Sequence, residues 1–149
     1  MSRVTASVEI DAPQKVAWDV VSDPRNLPMW DRHITKVVGV PSTGLDVGVE
    51  YTTRLTFWGA SAHVDAEVLE MKPPEVSKIR LSGPLIQATV TTRVTSLGED
   101  RCRLEHEVEY RFRGGPLGMM AARALGASGG PGYVLRRGTV AQKHQIEKG

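Results

Sequence analysis

The chain has 149 residues, a hydrophobic fraction of 40%, a charged fraction of 24% and a formal net charge of +2 at pH 7. A domain of about this length buries roughly two-thirds of the surface that its unfolded chain exposes, and the composition is that of an ordinary globular protein. These values argue against extensive disorder, and so small a net charge argues against nucleic acid as a partner.

The cellular context follows from cysteine content and hydropathy. The single cysteine, Cys102, cannot form a disulfide within the chain. No apolar run approaches the ~20 residues that a membrane-spanning helix needs. The opening residues MSRVTASVEIDAP alternate like a strand and lack the apolar segment of a signal peptide. We therefore expect a cytoplasmic protein without a membrane span, either a monomer or a homodimer.

The first elements are indicated by a change in hydrophobic periodicity. RVTASVEID alternates apolar and polar residues, which predicts a strand. DAPQKVAWDVVSDP then carries apolar residues at helical spacing, with Pro13 suited to the first helical position and Pro24 ending the helix. PRNLPMWDRH contains two prolines and has room only for a turn or a short helix.

Six further strands are predicted before the periodicity changes again. They are ITKVVGV, EYTTRLTFW, SAHVDAEVLEM, EVSKIRLSG, IQATVTTRVTSL and RCRLEHEVEYRFR. Turn-forming sequences separate them. Seven strands flanked by helical segments indicate an α+β protein whose antiparallel sheet has helices on one face.

The carboxyl-terminal region is predicted to be helical but interrupted. Residues 126–132, GASGGPG, include four glycines and one proline. Inside a helix each glycine costs ~1 kcal/mol and a proline ~3 kcal/mol, so we expect a break there and a helix over residues 133–148. Residues 111–149 hold seven Lys or Arg and one Glu. The simplest interpretation of this basic region is a helix face that is exposed to solvent. The alternative interpretation is a surface that contacts a partner protein.

The segment IDAPQKVAWDVVSDPRNLPMWDRHITKV resembles the opening of the START-like superfamily, which includes polyketide cyclases and dehydrases, lipid-transfer domains and the major birch-pollen allergen. The matching residues are Ala12, Pro13, Val16, Trp18, Asp23, Pro28 and Trp30. The resemblance implies one ligand-binding domain over residues 1–149 with a helix-grip fold. In that fold a curved seven-stranded antiparallel sheet surrounds a carboxyl-terminal helix, two short helices lie between strands 1 and 2, and an apolar ligand occupies a cavity.

The inward faces of the predicted strands are rich in small side chains. Alternation places Ala62, Val64, Ala66 and Val68 on one inward face, and Ile86, Ala88, Val90, Thr92 and Val94 on another. An apolar pocket with few polar groups is typical of a small-molecule site. The predicted ligand contacts are Trp30, Tyr51, Phe57, Trp58, Val64, Ala66, Ala88, Val90, Thr92, Val108 and Met120. For Trp30 and Trp58, packing in the core or in a lid is an equal alternative.

The stretch CRLEHEVEYRF places His106 and Tyr110 on the inward face of the last strand. One interpretation is structural: a core histidine bonded to a backbone carbonyl and a tyrosine whose ring packs in the core. The other is catalytic, with His106 as general base and Tyr110 as donor to an enolate oxygen. Four residues along a strand span ~13 Å, which is too far for both groups to act on one atom but compatible with two ends of a chain-like substrate.

No metal or cofactor is predicted. HEVEY is not the HExxH motif, and GASGGPGY lacks the Lys-Ser/Thr of a phosphate-binding loop. The leading hypothesis is a carrier or protective protein that binds an apolar or polycyclic, polyketide- or lipid-like metabolite. The alternative is a polyketide cyclase or dehydratase that assists aldol closure or loss of water in the same cavity.

Overall fold

The computed structural model describes residues 2–31, 33–57, 60–84, 86–112, 115, 119, 123 and 130–148. The strands are β1 (Ser2–Ile10), β2 (Ile34–Val38), β3 (Glu50–Phe57), β4 (Ala60–Lys72), β5 (Val76–Ser82), β6 (Ile86–Gly98) and β7 (Arg101–Phe112). The helices described are α1 (Gln14–Val21), a short 3₁₀ helix (Pro24–Asn26), α2 (Leu27–Trp30) and α3 (Pro131–Lys148).

All seven predicted strands join one antiparallel sheet in the order β1-β7-β6-β5-β4-β3-β2. A register shift between Val68 and Glu70 marks a β-bulge in β4, and bulges bend a strand and increase its twist. The sheet curls into a half-barrel, and α3 packs against its inner face through β1 and β7. The α+β helix-grip fold with short helices between β1 and β2 is therefore confirmed.

The segment between β1 and β2 differs from the prediction in detail. α1 begins at Gln14, and Pro13 precedes it in an extended conformation with its carbonyl accepting the Ala17 N–H at 3.1 Å. The helix ends at Val21, before Pro24, because Pro24 instead starts the 3₁₀ helix. Trp18 of α1, 4% exposed, packs in the core.

α3 starts at Pro131 rather than at Tyr133, so the helix resumes within the glycine-rich stretch. Proline suits a first helical turn because its missing N–H has no helical partner there, and Gly130, with φ of 90°, directly precedes the helix. The rest of the predicted interruption, residues 126–129, lies outside the described residues. Within the described ranges no helix is long and apolar enough to cross a membrane.

The core consists of two apolar clusters. The first joins α1, β1, β6, β7 and the end of α3, and its buried members are Ile10, Ala12, Ala17, Trp18, Val94, Cys102, Leu104 and Ile146. The second lies on β3 and β4, with Tyr51, Ala66 and Val68 buried and side chains such as Ile79 and Leu81 packed against them. The remaining inner face, beside α3, contains the candidate site.

Candidate ligand cavity

A cavity of about 310 Å³ lies between the inner face of the sheet and α3. Its volume is at the lower end of the range of ~300–1,000 Å³ that small-molecule sites occupy. Most of its wall is apolar, with Val64, Val90 and Val108 on the strands and Leu27 and Leu135 on the helices. β-branched and leucine side chains of this kind form a water-excluding surface, so the cavity suits an apolar ligand.

The structure places most of the predicted site residues on this wall. They are Trp30, Tyr51, Val64, Val90, Thr92, His106, Val108 and Tyr110. Ala66 and Ala88 are buried, at 1% and 2% exposure, but are not among the residues that line the cavity. Trp58, Met120 and the side chain of Phe57 lie outside what the structure describes. Whether the predicted contacts bind a ligand stays a prediction.

Three buried polar side chains connect the sheet to α3 at one boundary of the cavity. His106 Nδ1 lies 2.9 Å from Thr92 Oγ1, and His106 Nε2 lies 2.7 Å from Gln142 Oε1. Along β6, β7 and α3 these residues stand between the apolar cluster, with Val94, Leu104 and Ile146, and the cavity. We call Thr92, His106 and Gln142 the polar layer.

The hydrogen bonds of the polar layer define the protonation of His106. Because Gln142 Oε1 is an acceptor, Nε2 carries the proton and donates it, and Nδ1 accepts the hydroxyl hydrogen of Thr92. Burial lowers the pKa of His106 below its ordinary value of 6.5, and the hydrogen bond with Gln142 opposes this shift. His106 is therefore a neutral imidazole at pH 7. Its partners are two side chains, not the backbone carbonyl that the structural interpretation predicted.

Trp30 closes one side of the cavity and also contacts α3. Its indole Nε1–H donates to Gln145 Oε1 at 2.7 Å, and its residue exposure is 9%. Gly138 of α3 lies against the same residue, since a Cβ built there would stand 3.3 Å from the Trp30 carbonyl oxygen. The absence of a Cβ at Gly138 lets α2 and α3 approach closely. Trp30 therefore has both a packing role and a surface that faces the cavity.

The connection between α2 and β2 adds two polar residues that were not predicted as site residues from the sequence. Asp31 Oδ1 accepts the backbone N–H of His33 at 2.9 Å and lies 3.0 Å from His33 Nδ1. Both residues line the cavity, and their side chains are 28% and 12% exposed. The Asp-x-His spacing is a sequence signal for such a turn, because an Asp side chain often accepts the N–H two residues later. Only the fold shows that this turn faces the cavity.

Polar residues from other elements were also missed. Thr53 of β3, Ser77 of β5, and Thr139 and Gln142 of α3 line the cavity. Thr139 Oγ1 donates to the Leu135 carbonyl at 2.8 Å, four residues back along the helix. The α3 residues carried no local signal, since their burial depends on contact with strands that are distant in sequence.

A second concavity, of about 570 Å³, lies on the surface between α1, the segment Val40–Leu45 and the β4–β5 turn. Charged side chains contribute to its wall, among them Lys15, Asp19 and Arg25. It shares Ser22, Pro24 and Leu45 with the wall of the internal cavity. The charged wall of this groove offers less apolar contact than the largely apolar wall of the cavity beside α3, so that cavity is the stronger candidate for an apolar ligand.

An apolar cavity between a curled antiparallel sheet and a carboxyl-terminal helix defines a helix-grip protein of the ligand-cavity class. The model of the family described as polyketide cyclase / dehydrase and lipid transport matches residues 1–134. The chain belongs to this family. A search of curated protein sequences gives no match.

Solved structures with the same fold include proteins of different activities. The Zhui aromatase/cyclase from Streptomyces sp. R1128 is 13% identical, with a TM-score of 0.74 over 99% of this chain and 94% of that one. A START superfamily protein from Mycobacterium smegmatis is 17% identical, with a TM-score of 0.72 over 98% and 97% of the chains. Norcoclaurine synthase from Thalictrum flavum is 15% identical, with a TM-score of 0.63 over 99% and 87%. At these identities the similarity establishes the fold alone.

The buried His106 predicts how stability depends on pH. Since the unfolded chain binds a proton near pH 6.5 and the folded chain binds it only at lower pH, acidification through this window favours unfolding. The group contributes a slope of up to about 1.4 kcal/mol per pH unit, with stability rising as pH rises. We expect His106→Gln to reduce this slope in urea denaturation measured from about pH 7.5 to about pH 5.

The exposed His63 of β4 provides the matched control. His63→Gln is expected to retain the slope of the unmodified protein. Equal slopes for the unmodified protein and His106→Gln would show that His106 is not held neutral by burial.

Proposed function

We infer that the protein binds an apolar or polycyclic small molecule, polyketide- or lipid-like, as a carrier or protective protein. The observation that carries this proposal is the cavity of about 310 Å³ between the sheet and α3, whose described wall is apolar over most of its area. Protein interiors are normally packed to the density of organic crystals, so a cavity of this size is unusual without a ligand to fill it. The family description, which includes lipid transport, supports the same class of function.

The chemistry of the wall indicates what kind of ligand fits. Each CH₂ group that leaves water for the cavity contributes ~0.8 kcal/mol, so apolar area supplies most of the affinity. The few polar groups would orient the ligand. Burial raises the pKa of Tyr51 to about 12, so its phenol remains a neutral hydrogen-bond donor in the cavity wall.

The proposal includes a cytoplasmic location and a monomer or homodimer with a hydrophobic small molecule as its partner. Cys102 is fully buried, and burial raises the pKa of its thiol. A buried neutral thiol resists oxidation, which is compatible with a reducing compartment. No nucleic-acid partner is proposed.

Filling the cavity is expected to weaken ligand binding. Val90 lines the cavity from β6, so Val90→Phe places a larger side chain in the ligand space. Titration with the apolar dye phenylnaphthylamine, whose fluorescence rises when it leaves water, is expected to show at least a tenfold weaker affinity for this variant, equal to about 1.4 kcal/mol.

Val140→Phe is the matched control, since Val140 is 38% exposed on α3 and is not among the cavity-lining residues. It is expected to bind the dye like the unmodified protein. Equal affinity for both variants, or no dye binding to the unmodified protein, would contradict the proposed cavity site.

A second candidate is a polyketide cyclase or dehydratase. The specific observation in its favour is that His106 and Tyr110 both line the same cavity. Aldol closure requires a base that takes a proton from a carbon between two carbonyls and a donor to the enolate oxygen. His106 would have to exchange a hydrogen bond with Thr92 for one with the substrate, since the lone pair of Nδ1 accepts that hydroxyl.

For this candidate, we expect His106→Phe/Tyr110→Phe to lower the turnover of a poly-ketone substrate by about 10²-fold or more. Product formation is measured by chromatography, with dye affinity as the test that the cavity is intact. His63→Gln/Tyr133→Phe, which changes two exposed residues, is the control. Full turnover by the His106/Tyr110 double variant would eliminate these two residues as the catalytic pair.

A further inference from the structure

Ser77 of β5 extends the row of polar side chains that crosses the sheet beside the cavity. It lies opposite Thr92 in the pairing of β5 with β6, and Thr92 lies opposite His106 in the pairing of β6 with β7. Paired residues on neighbouring strands have their side chains on the same face, so all three point to the inner side of the sheet. Ser77 is 5% exposed and lines the cavity. Its hydroxyl is therefore a buried polar group next to the polar layer.

The hydrogen bonds of the polar layer run in one direction and end in free donors. The Thr92 hydroxyl donates to His106 Nδ1, and His106 Nε2–H donates to Gln142 Oε1. These bonds use the amide oxygen of Gln142 and leave its two Nε2–H groups, which can only donate. Gln142 is 6% exposed and lines the cavity. The series of hydrogen bonds therefore ends in hydrogens rather than in lone pairs.

The Ser77 hydroxyl and Gln142 Nε2 have no hydrogen-bond partner within the part of the chain that the structure describes. In that same part, no fully enclosed side-chain nitrogen or oxygen lacks a hydrogen bond. These two groups therefore reach open space, and the cavity is the space that both residues line. A buried donor without an acceptor costs free energy, so a ligand oxygen that accepts from these groups is favoured.

Two tyrosines of the cavity wall lie at a different level. Tyr51 and Tyr110 belong to the row of paired residues that crosses β6 at Ala88. Ala88 is four residues from Thr92, which is ~13 Å along the strand. The two phenols are therefore donors separate from the polar layer, and variants of the polar layer can be distinguished from effects of the tyrosines.

We propose that Ser77 and Gln142 form the recognition point for a carbonyl oxygen, of a ketone or a quinone, at one end of an apolar ligand. This inference rests on the proposed function, because it names the ligand class of the same cavity. A carbonyl oxygen has two lone pairs and no hydrogen, so it accepts from the Ser77 hydroxyl, from the Gln142 amide or from both. No proton is transferred in this recognition.

The recognition point distinguishes a carbonyl compound from two other apolar ligand types. A hydrocarbon leaves both donors without an acceptor. A fatty-acid carboxylate brings a full negative charge, and burying a charge without a cation is costly. The described cavity wall contains no Lys or Arg, and its acidic residue, Asp31, disfavours a second negative charge. The cavity thus favours a neutral skeleton with a ketone or quinone oxygen over a fatty acid.

The test compares 9-fluorenone with fluorene, which has the same three fused rings and no carbonyl. The affinity of each probe is measured by displacement of phenylnaphthylamine. Infrared spectroscopy of bound fluorenone gives the carbonyl stretching frequency, which falls when the oxygen accepts a hydrogen bond. For the unmodified protein, we expect this frequency to lie below its value in cyclohexane, a solvent without donors.

Ser77→Ala is the sharpest variant, because the Ser77 hydroxyl has no described protein partner to lose. We expect it to weaken binding of fluorenone relative to fluorene by about threefold or more, the size of one neutral hydrogen bond. Affinity for fluorene itself is expected to change less than about twofold, because fluorene accepts no hydrogen bond. Unchanged fluorene binding shows that the cavity remains folded.

A second substitution tests the amide. Gln142→Met keeps the approximate length of the side chain, removes the Nε2–H groups and is expected to weaken relative fluorenone binding as Ser77→Ala does. In Ser77→Ala/Gln142→Met we expect the carbonyl frequency of bound fluorenone to return to its cyclohexane value. Ser7→Ala, which changes an exposed serine of β1, is the control and is expected to behave like the unmodified protein.

The outcomes separate this inference from the proposed function. If the unmodified protein binds both probes and the carbonyl frequency equals its cyclohexane value, the recognition point is wrong and the cavity proposal survives. The same conclusion follows if the double variant retains the lowered frequency and the relative affinity of the unmodified protein. If neither probe displaces the dye from the unmodified protein, the cavity proposal fails and the inference fails with it.

Discussion

The structure depends on how a single helix is held over the inner face of a curved sheet. The buried face of α3 is narrow and partly polar, with Thr139, Gln142 and Ile146 as its buried residues. Hydrogen bonds therefore do much of the positioning. Gln142 bonds His106 of β7, Gln145 accepts from Trp30, and Lys143 donates to the Glu9 carbonyl at 2.7 Å. A buried polar group without a partner costs free energy, so the buried bond between Gln142 and His106 in particular favours this placement of the helix.

These contacts lie in the carboxyl-terminal half of α3, and the other half covers the cavity. Val134, Leu135 and Gly138 line it from the helix. Below the polar layer, the apolar cluster with Leu104 and Ile146 is closely packed. Beyond the layer, the strand positions that face α3 hold side chains such as Val90 and Val108, which leave space. The helix α3 thus covers a packed core on one side of the polar layer and the ligand cavity on the other side.

The strands were predictable because alternation is a local property, and the inward phase of β6 and β7 agrees with their burial. Which inward residues reach the cavity was not predictable from phase. Ala66 and Val64 share a face of β4, yet of these two only Val64 lines the cavity, because Ala66 packs in the apolar cluster with Tyr51 and Val68. The hydrogen-bond partner of His106 could not be predicted either, since Gln142 is 36 residues away in sequence.

The Asp31–His33 turn has a local sequence signal, because the two residues are close in the chain. Its position at the cavity wall, however, depends on the fold of the whole sheet. The sequence thus predicted the inventory of elements and the apolar character of the interior. The polar groups that would set ligand chemistry depended on contacts between distant elements. Family membership agrees with the fold and leaves the ligand open, because related folds carry aromatase/cyclase and norcoclaurine synthase activities.

The proposed function requires that an apolar ligand enters the cavity under α3. Methyl NMR spectra recorded during addition of phenylnaphthylamine test it most directly. We expect shifts for the methyl groups of Val64, Val90, Val108 and Leu135, with none for exposed Val38, Leu97 and Val140. Shifts confined to Val40 and Met71, which line the surface groove, would place the ligand outside the cavity and refute the proposed binding site.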